Sequence, residues 1–82
     1  MWYVTIDHSR ESGPEIHSFS DHQSAKVFFD RTIKTKAIQP LKPDFLECNS
    51  NRALVNGWDI RVNKYDDLTP FMKKCVDMNL VV

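Results

Sequence analysis

The pair Asn56-Gly57 constrains the fold of this chain more than any other feature. A two-residue β-hairpin turn of type I′ needs positive φ at both central positions, and Asn followed by Gly accepts this conformation best. The turn fixes the pairing of its flanks: Val55 opposes Trp58, Ala53 opposes Ile60, and Asn51 opposes Val62. Because opposed residues share a face of the sheet, one face of the hairpin is apolar throughout. Trp58 is therefore expected in the core.

The other face of this hairpin carries two arginines. It presents Arg52 opposite Arg61 and Leu54 opposite Asp59, and Lys64 and Tyr65 follow on the same segment. Two like charges directly opposite one another destabilise a sheet slightly. One interpretation is that the arginines hold phosphates or carboxylates of a partner. The other is a solvated face on which Asp59, with Glu47 as a further candidate, neutralises them.

Residues 2 to 8 alternate between apolar and polar side chains. Trp2, Val4 and Ile6 share one face, which predicts a half-buried strand. The turn cluster SRESGP and the stretch EIHSFS that follow predict a second strand paired with the first. The register of this hairpin stays open, because Ile16 and Phe19 are an odd number of residues apart and cannot both lie on the same face of a strand.

The stretch SDHQSAKVFFDRTIKTKA predicts an amphipathic helix. Ser20 and Gln23 match a capping box, and Asp21 places negative charge in the first turn, where the helix dipole favours it. The apolar arc consists of Ala25, Phe28, Phe29, Thr32 and Ile33. Val27 lies on the polar side and is expected to be exposed.

A second amphipathic helix is predicted after Thr69, an N-cap residue followed by Pro70 at the first helical position. The element order is ββαβββα, or ββαββα if residues 45–48 form only a loop. Hairpins favour an antiparallel sheet, and the arginine-bearing face favours helices on the opposite side. The sequence thus predicts one α+β domain over residues 1–82, a small antiparallel sheet with both amphipathic helices packed on one face.

Composition limits the class of protein. The chain has 82 residues, enough for one domain. No apolar run approaches the roughly 20 residues of a membrane helix, and the N-terminus lacks the pattern of a signal peptide. Cys48 and Cys75 lie far apart and are expected as unpaired, buried thiols, which favours a cytoplasmic protein.

The formal net charge is zero, which argues against bulk nucleic-acid binding. Its distribution is uneven, because acidic residues dominate residues 1–30 and basic residues dominate residues 31–64. A local basic patch therefore stays open as a hypothesis.

No pattern in the sequence predicts catalysis, a cofactor or a metal. His8, His17 and His22 lack the spacing of a zinc motif. Ser9 beside His8 is only sequence adjacency, which does not create the geometry of an activated nucleophile. The two glycines cannot form a phosphate-binding loop. The sequence predicts a protein that is not an enzyme and has no catalytic, cofactor-binding or metal-binding residue.

By elimination, the sequence predicts a small intracellular protein-binding module that inhibits or adapts a larger protein or nucleoprotein machine. Phage and mobile-element proteins that block host defence or host enzymes often have this small, motif-free character. Two surfaces are candidates for contact with the partner. One is the basic group Arg52, Arg61, Lys64 and Tyr65, and the other is the acidic rim Glu11, Glu15 and Asp21.

The alternative prediction is a nucleic-acid-binding module that uses the Arg52/Arg61 face. A sheet that binds RNA would also want exposed aromatic side chains for base stacking. No membrane partner is predicted. The oligomeric state is left open, although an unpaired edge strand could form a dimer by extending the sheet.

Overall fold

A computed structural model describes residues 1–8, 13–38 and 45–81, and at residues 45–47 its backbone alone. The elements are β1 (Trp2–His8), β2 (Glu15–Phe19), α1 (His22–Ala37), β3 (Phe45–Cys48), β4 (Arg52–Val55), β5 (Trp58–Lys64), a 3-10 turn (Tyr65–Asp67) and α2 (Pro70–Asp77). The prediction of a small α+β fold, with an antiparallel sheet and two helices, is confirmed.

The strands form one sheet in the order β2-β1-β5-β4-β3, and every neighbouring pair is antiparallel. The pairing register defines two faces. Face A carries Val4, Ile6, Ala53, Val55, Ile60 and Val62, and face B carries Tyr3, Thr5, Arg52, Asp59 and Arg61. β1 lies inside the sheet, so both of its edges are hydrogen-bonded.

The hairpin of β4 and β5 matches the predicted turn and register. Asn56 has φ 52° and Gly57 has φ 83°, and the pairs Arg52↔Arg61 and Val55↔Trp58 form as expected. Both values of φ lie in the left-handed region that a type I′ turn requires. Ala53, Val55 and Ile60 are fully buried, whereas Trp58 packs at the margin of the same core.

Helix α1 covers face A. Ala25 and Phe29 are buried among the face A side chains, and Val27 is exposed as predicted. The N-cap is Asp21, one residue later than the predicted capping box: its Oδ1 accepts a hydrogen bond of 2.7 Å from the amide of Ser24. A charged carboxylate accepts from an amide more strongly than a hydroxyl does.

Helix α2 lies on the other side of the sheet, so the prediction that both helices pack on one face is wrong. Met72, Cys75 and Val76 of α2 pack against Tyr3, Ile16 and Leu68. Ile16 pairs with Thr5, which places Ile16 and Tyr3 together on face B. This apolar strip needs a cover, and α2 provides it.

The cover also changes the burial of β1. Tyr3 and Thr5 are buried on face B, while Val4 and Ile6 are buried on face A. β1 is therefore buried on both faces rather than half-buried. The alternation in its sequence gave no sign of this, because Tyr and Thr suit both an exposed and a packed strand surface.

Replacing Gly57 by alanine is expected to lower the free energy of unfolding by about 1 kcal/mol, because an L side chain is strained at positive φ. Urea-induced unfolding followed by circular dichroism measures the loss. Asn56→Gly is the comparison for the turn: glycine keeps the positive φ, so any loss of stability reports the hydrogen bond of 2.8 Å that Nδ2 of Asn56 donates to the carbonyl of Lys36. An unchanged unfolding midpoint for Gly57→Ala would contradict the left-handed conformation at this position.

Candidate functional site: an arginine pair held by one carboxylate

The carboxylate of Asp59 binds both arginines of face B. Its Oδ1 accepts from Nε of Arg52 at 3.2 Å and from Nε of Arg61 at 3.1 Å. Its Oδ2 accepts from Nη2 of Arg52 at 3.1 Å and from Nη2 of Arg61 at 2.8 Å. Each guanidinium group thus meets the carboxylate side-on, and the opposed arginines share one counter-charge.

This arrangement follows from the strand register. Arg52 lies directly opposite Arg61, and Asp59 lies two positions before Arg61 on the same face. The side chain of Asp59 therefore reaches Arg61, two residues along β5, and Arg52, its diagonal neighbour on β4. The predicted pairing of Asp59 with both arginines is therefore confirmed, and binding of a partner by the arginines stays a prediction. The prediction that Glu47 also neutralises the arginines concerns a side chain outside those that the structure describes.

Electrostatics keep Asp59 ionised. Partial burial raises the pKa of this carboxyl, but the hydrogen bonds and positive charges of Arg61 and Arg52 together outweigh the burial. The net result is a pKa below the ordinary value of 3.8. The three side chains together carry one net positive charge at neutral pH.

The other two residues of the predicted basic surface lie elsewhere. Lys64 pairs with Trp2, on face A, and its Nζ lies 5.2 Å from the centroid of the Trp2 ring. Tyr65 begins the 3-10 turn, packs at the face B cluster under α2 and donates a hydrogen bond to Asp77. That hydrogen bond, with lesser contributions from burial and nearby charges, raises the pKa of Tyr65. The structure therefore does not bring the four predicted residues into one surface.

The predicted acidic rim is also divided. Glu15 lies at the start of β2 and its Oε1 is 3.3 Å from Nε2 of His17. Asp21 caps α1, where the amide of Ser24 and then its hydroxyl hold the pKa of the carboxyl below its usual value. Glu11 lies outside the described residues. The two described acids each have a local structural role and still carry exposed negative charge.

A small polar cleft of about 110 Å³ adjoins the arginine pair on face B. It lies between the sheet and the start of α2, and its lining includes Asp7, Asp59, Arg61, Asn63 and Asp67. Sequence reasoning missed this cleft. The cleft depends on the pairing of β1 with β5, which places Asp7 opposite Asp59. No pattern in the sequence predicts that these two strands pair.

The three histidines each pack against an aromatic ring. The ring centroids lie 4.3 Å apart for His22 and Trp2, 4.5 Å for His17 and Phe28, and 4.6 Å for His8 and Trp58. Among the side chains that the structure describes, no group of three or more His, Cys, Asp or Glu is placed to hold a metal ion.

The cysteines are unpaired, as predicted, but they are not both buried. Cys75 is half-buried on the side of α2 that packs against the sheet, while Cys48 is exposed. Cys48 ends the edge strand β3, where a side chain gains little cover. No helix in the described part of the chain is long and apolar enough to cross a membrane.

No protein-family model, curated protein or solved structure matches this chain. The chemistry of the candidate site therefore rests on the geometry of this chain alone.

Proposed function

We propose that this chain is a small non-catalytic protein-binding module, an inhibitor or adaptor of a larger protein or nucleoprotein machine, and that the arginine pair is the centre of its interface. The observation that supports the proposal is the fixed position of the two guanidinium groups on Asp59. Arginine is enriched among the residues that dominate binding energy in interfaces. Groups that are already ordered lose less conformational entropy when a partner binds.

Arg61 has the right exposure for this role. Its side chain is 42% exposed, and it uses Nε and Nη2 for Asp59. The Nη1 group carries further N–H donors that suit a carboxylate or a backbone carbonyl of a partner. The half-buried side chain of Leu54 lies opposite Asp59 and offers an apolar contact beside these donors.

The surroundings of the arginines favour a protein over nucleic acid. Asp59 and Asp7 lie on the same face and repel phosphate groups. Among the described face B side chains of β4 and β5, none is aromatic, so stacking of unpaired bases lacks a platform. The unpaired thiols of Cys48 and Cys75 favour a cytoplasmic location for the module. A phage or mobile-element protein directed against host machinery would suit this description.

An affinity capture with mass spectrometry tests the proposal. The wild type, Arg61→Glu and Lys64→Glu are used as baits, each with and without nuclease. Lys64→Glu is the matched control, because it reverses the same charge on the opposite face three residues away. We expect a near-stoichiometric protein partner that survives nuclease, binds Lys64→Glu normally and is lost with Arg61→Glu.

Two other outcomes would overturn the proposal in different ways. Capture that disappears with nuclease, together with affinity that falls steeply with salt, would assign the arginines to nucleic acid. Glu15→Lys is a further bait, and capture that survives Arg61→Glu but is lost with Glu15→Lys would move the interface to the acidic rim. Circular dichroism of each bait separates lost binding from lost folding.

A further inference from the structure

Strand β2 is an edge of the sheet that its own sequence leaves unprotected. Within the described residues it pairs only with β1, in unbroken register over all five positions. Natural edge strands are often blunted by bulges, charged side chains or prolines. β2 reads EIHSF: it has no bulge and no proline, and its one carboxylate, Glu15, is the first residue of the strand. The opposite edge, β3, has a register shift between Phe45 and Glu47. β2 is thus the edge suited to receive another strand.

An open groove of about 540 Å³ follows the outer side of α1 beside β2. Phe19, Val27 and Phe28 give it an apolar lining. Val27 is 52% exposed, which leaves apolar surface in water next to the unprotected edge. Cover for this groove would bury Val27 and complete the packing of the two phenylalanines.

The charges of the groove are ordered along its length. Asp21 lies at one end and Arg31 at the other, and both are exposed. Arg31 lies ten residues after Asp21, the N-cap of α1, which corresponds to about 15 Å along the helix axis. A partner that fits must present positive charge near Asp21 and negative charge near Arg31. A second copy of this groove, turned end to end, presents this order.

We propose that the chain forms a symmetric homodimer in which β2 pairs antiparallel with β2 of a second copy. A two-fold axis perpendicular to the sheet makes the strands antiparallel and keeps both α1 helices on face A. Full overlap of the two strands centres the axis on His17, so that Glu15 opposes Phe19 of the second copy. The same axis sets Arg31 of each copy towards Asp21 of the other and brings the two grooves together.

Sedimentation equilibrium over a series of protein concentrations tests the dimer. We expect the wild-type mass to double as concentration rises. Val27→Glu places a charge in the groove and Arg31→Glu removes its charge complementarity, so each is expected to weaken the dimer by about tenfold or more. Lys74→Glu on α2 is the control for a charge reversal, and it should leave the dimer unchanged. All three positions are exposed, so their folding is expected to survive.

Backbone amide hydrogen exchange identifies the strand that pairs. We expect the amides of residues 15–19 to exchange more slowly at concentrations where the dimer forms, and the wild-type difference to vanish in Val27→Glu. A monomer at millimolar concentration would overturn the proposal. So would a dimer that neither groove variant weakens, or one without added protection in β2. The arginine pair lies on face B and takes no part in this test, so the two proposals fail independently.

Discussion

Replacing Phe29 by alanine is expected to lower the free energy of unfolding by about 3–5 kcal/mol. Phe29 is 1% exposed and heads the largest fully buried side chains, so its loss removes apolar burial and leaves a cavity between α1 and face A. A domain of 82 residues has a total stability of only about 4–12 kcal/mol. The variant should therefore unfold at a much lower urea concentration, measured by circular dichroism and tryptophan fluorescence.

Ile38→Ala is the matched control for this change. Ile38 directly follows the last residue of α1 and is 67% exposed, so its truncation is expected to change stability by about 0.5 kcal/mol or less. A loss for Phe29→Ala no larger than that for Ile38→Ala would mean that Phe29 does not anchor α1 on the sheet.

The parts of the fold that the sequence predicts correctly are governed by local rules. The Asn56-Gly57 turn sets the register of β4 and β5, because both residues accept positive φ and the strand period is two. The amphipathic pattern of α1 identifies Ala25 and Phe29 as core residues and Val27 as exposed. The role of Asp59 follows from the same register, since it shares a face with both arginines.

The position of α2 could not be predicted because it depends on a non-local pairing. Tyr3 and Ile16 form an apolar strip on face B only when β1 and β2 pair in the observed register. The sequence left that register open, so the arginines alone suggested a face without a helix. In the structure, α2 covers face B at β1 and β2, whereas the arginine pair occupies face B at β4 and β5.

The grouping of Lys64 and Tyr65 with the arginines was an error that strand parity could have prevented. Arg61 and Asn63 lie on face B, so Lys64, one residue further, must face the other way while the strand continues. Tyr65 then leaves the strand altogether and enters the 3-10 turn. Two residues of one strand lie on the same face only when they are an even number of positions apart.

Replacing Asp59 by asparagine is expected to lower the free energy of unfolding by about 2 kcal/mol at neutral pH. Asp59 accepts hydrogen bonds from two guanidinium groups that directly oppose one another. The asparagine keeps the shape and removes the negative charge, which leaves two like charges side by side. The side chain is 24% exposed, so water compensates only part of the loss. Urea-induced unfolding at pH 7 measures the difference.

The pH dependence of this loss has a definite sign. The folded-state pKa of Asp59 lies below its ordinary value of 3.8, so the carboxylate stabilises the fold at every pH above that value. The stabilisation declines as pH falls through the folded-state pKa, because the protonated acid no longer holds the arginines. The difference between wild type and Asp59→Asn should therefore stay constant from pH 7 to about pH 5 and shrink towards zero in stronger acid.

A double-mutant comparison separates the arginine pair from other effects of Asp59. In an Arg52→Gln/Arg61→Gln background the carboxylate has lost both cationic partners, so Asp59→Asn should cost close to nothing. An equal cost in both backgrounds would mean that Asp59 stabilises the sheet by some other contact. The arginines would then lack the fixed placement that makes them a prepared binding surface, and the proposed interface would lose its physical basis.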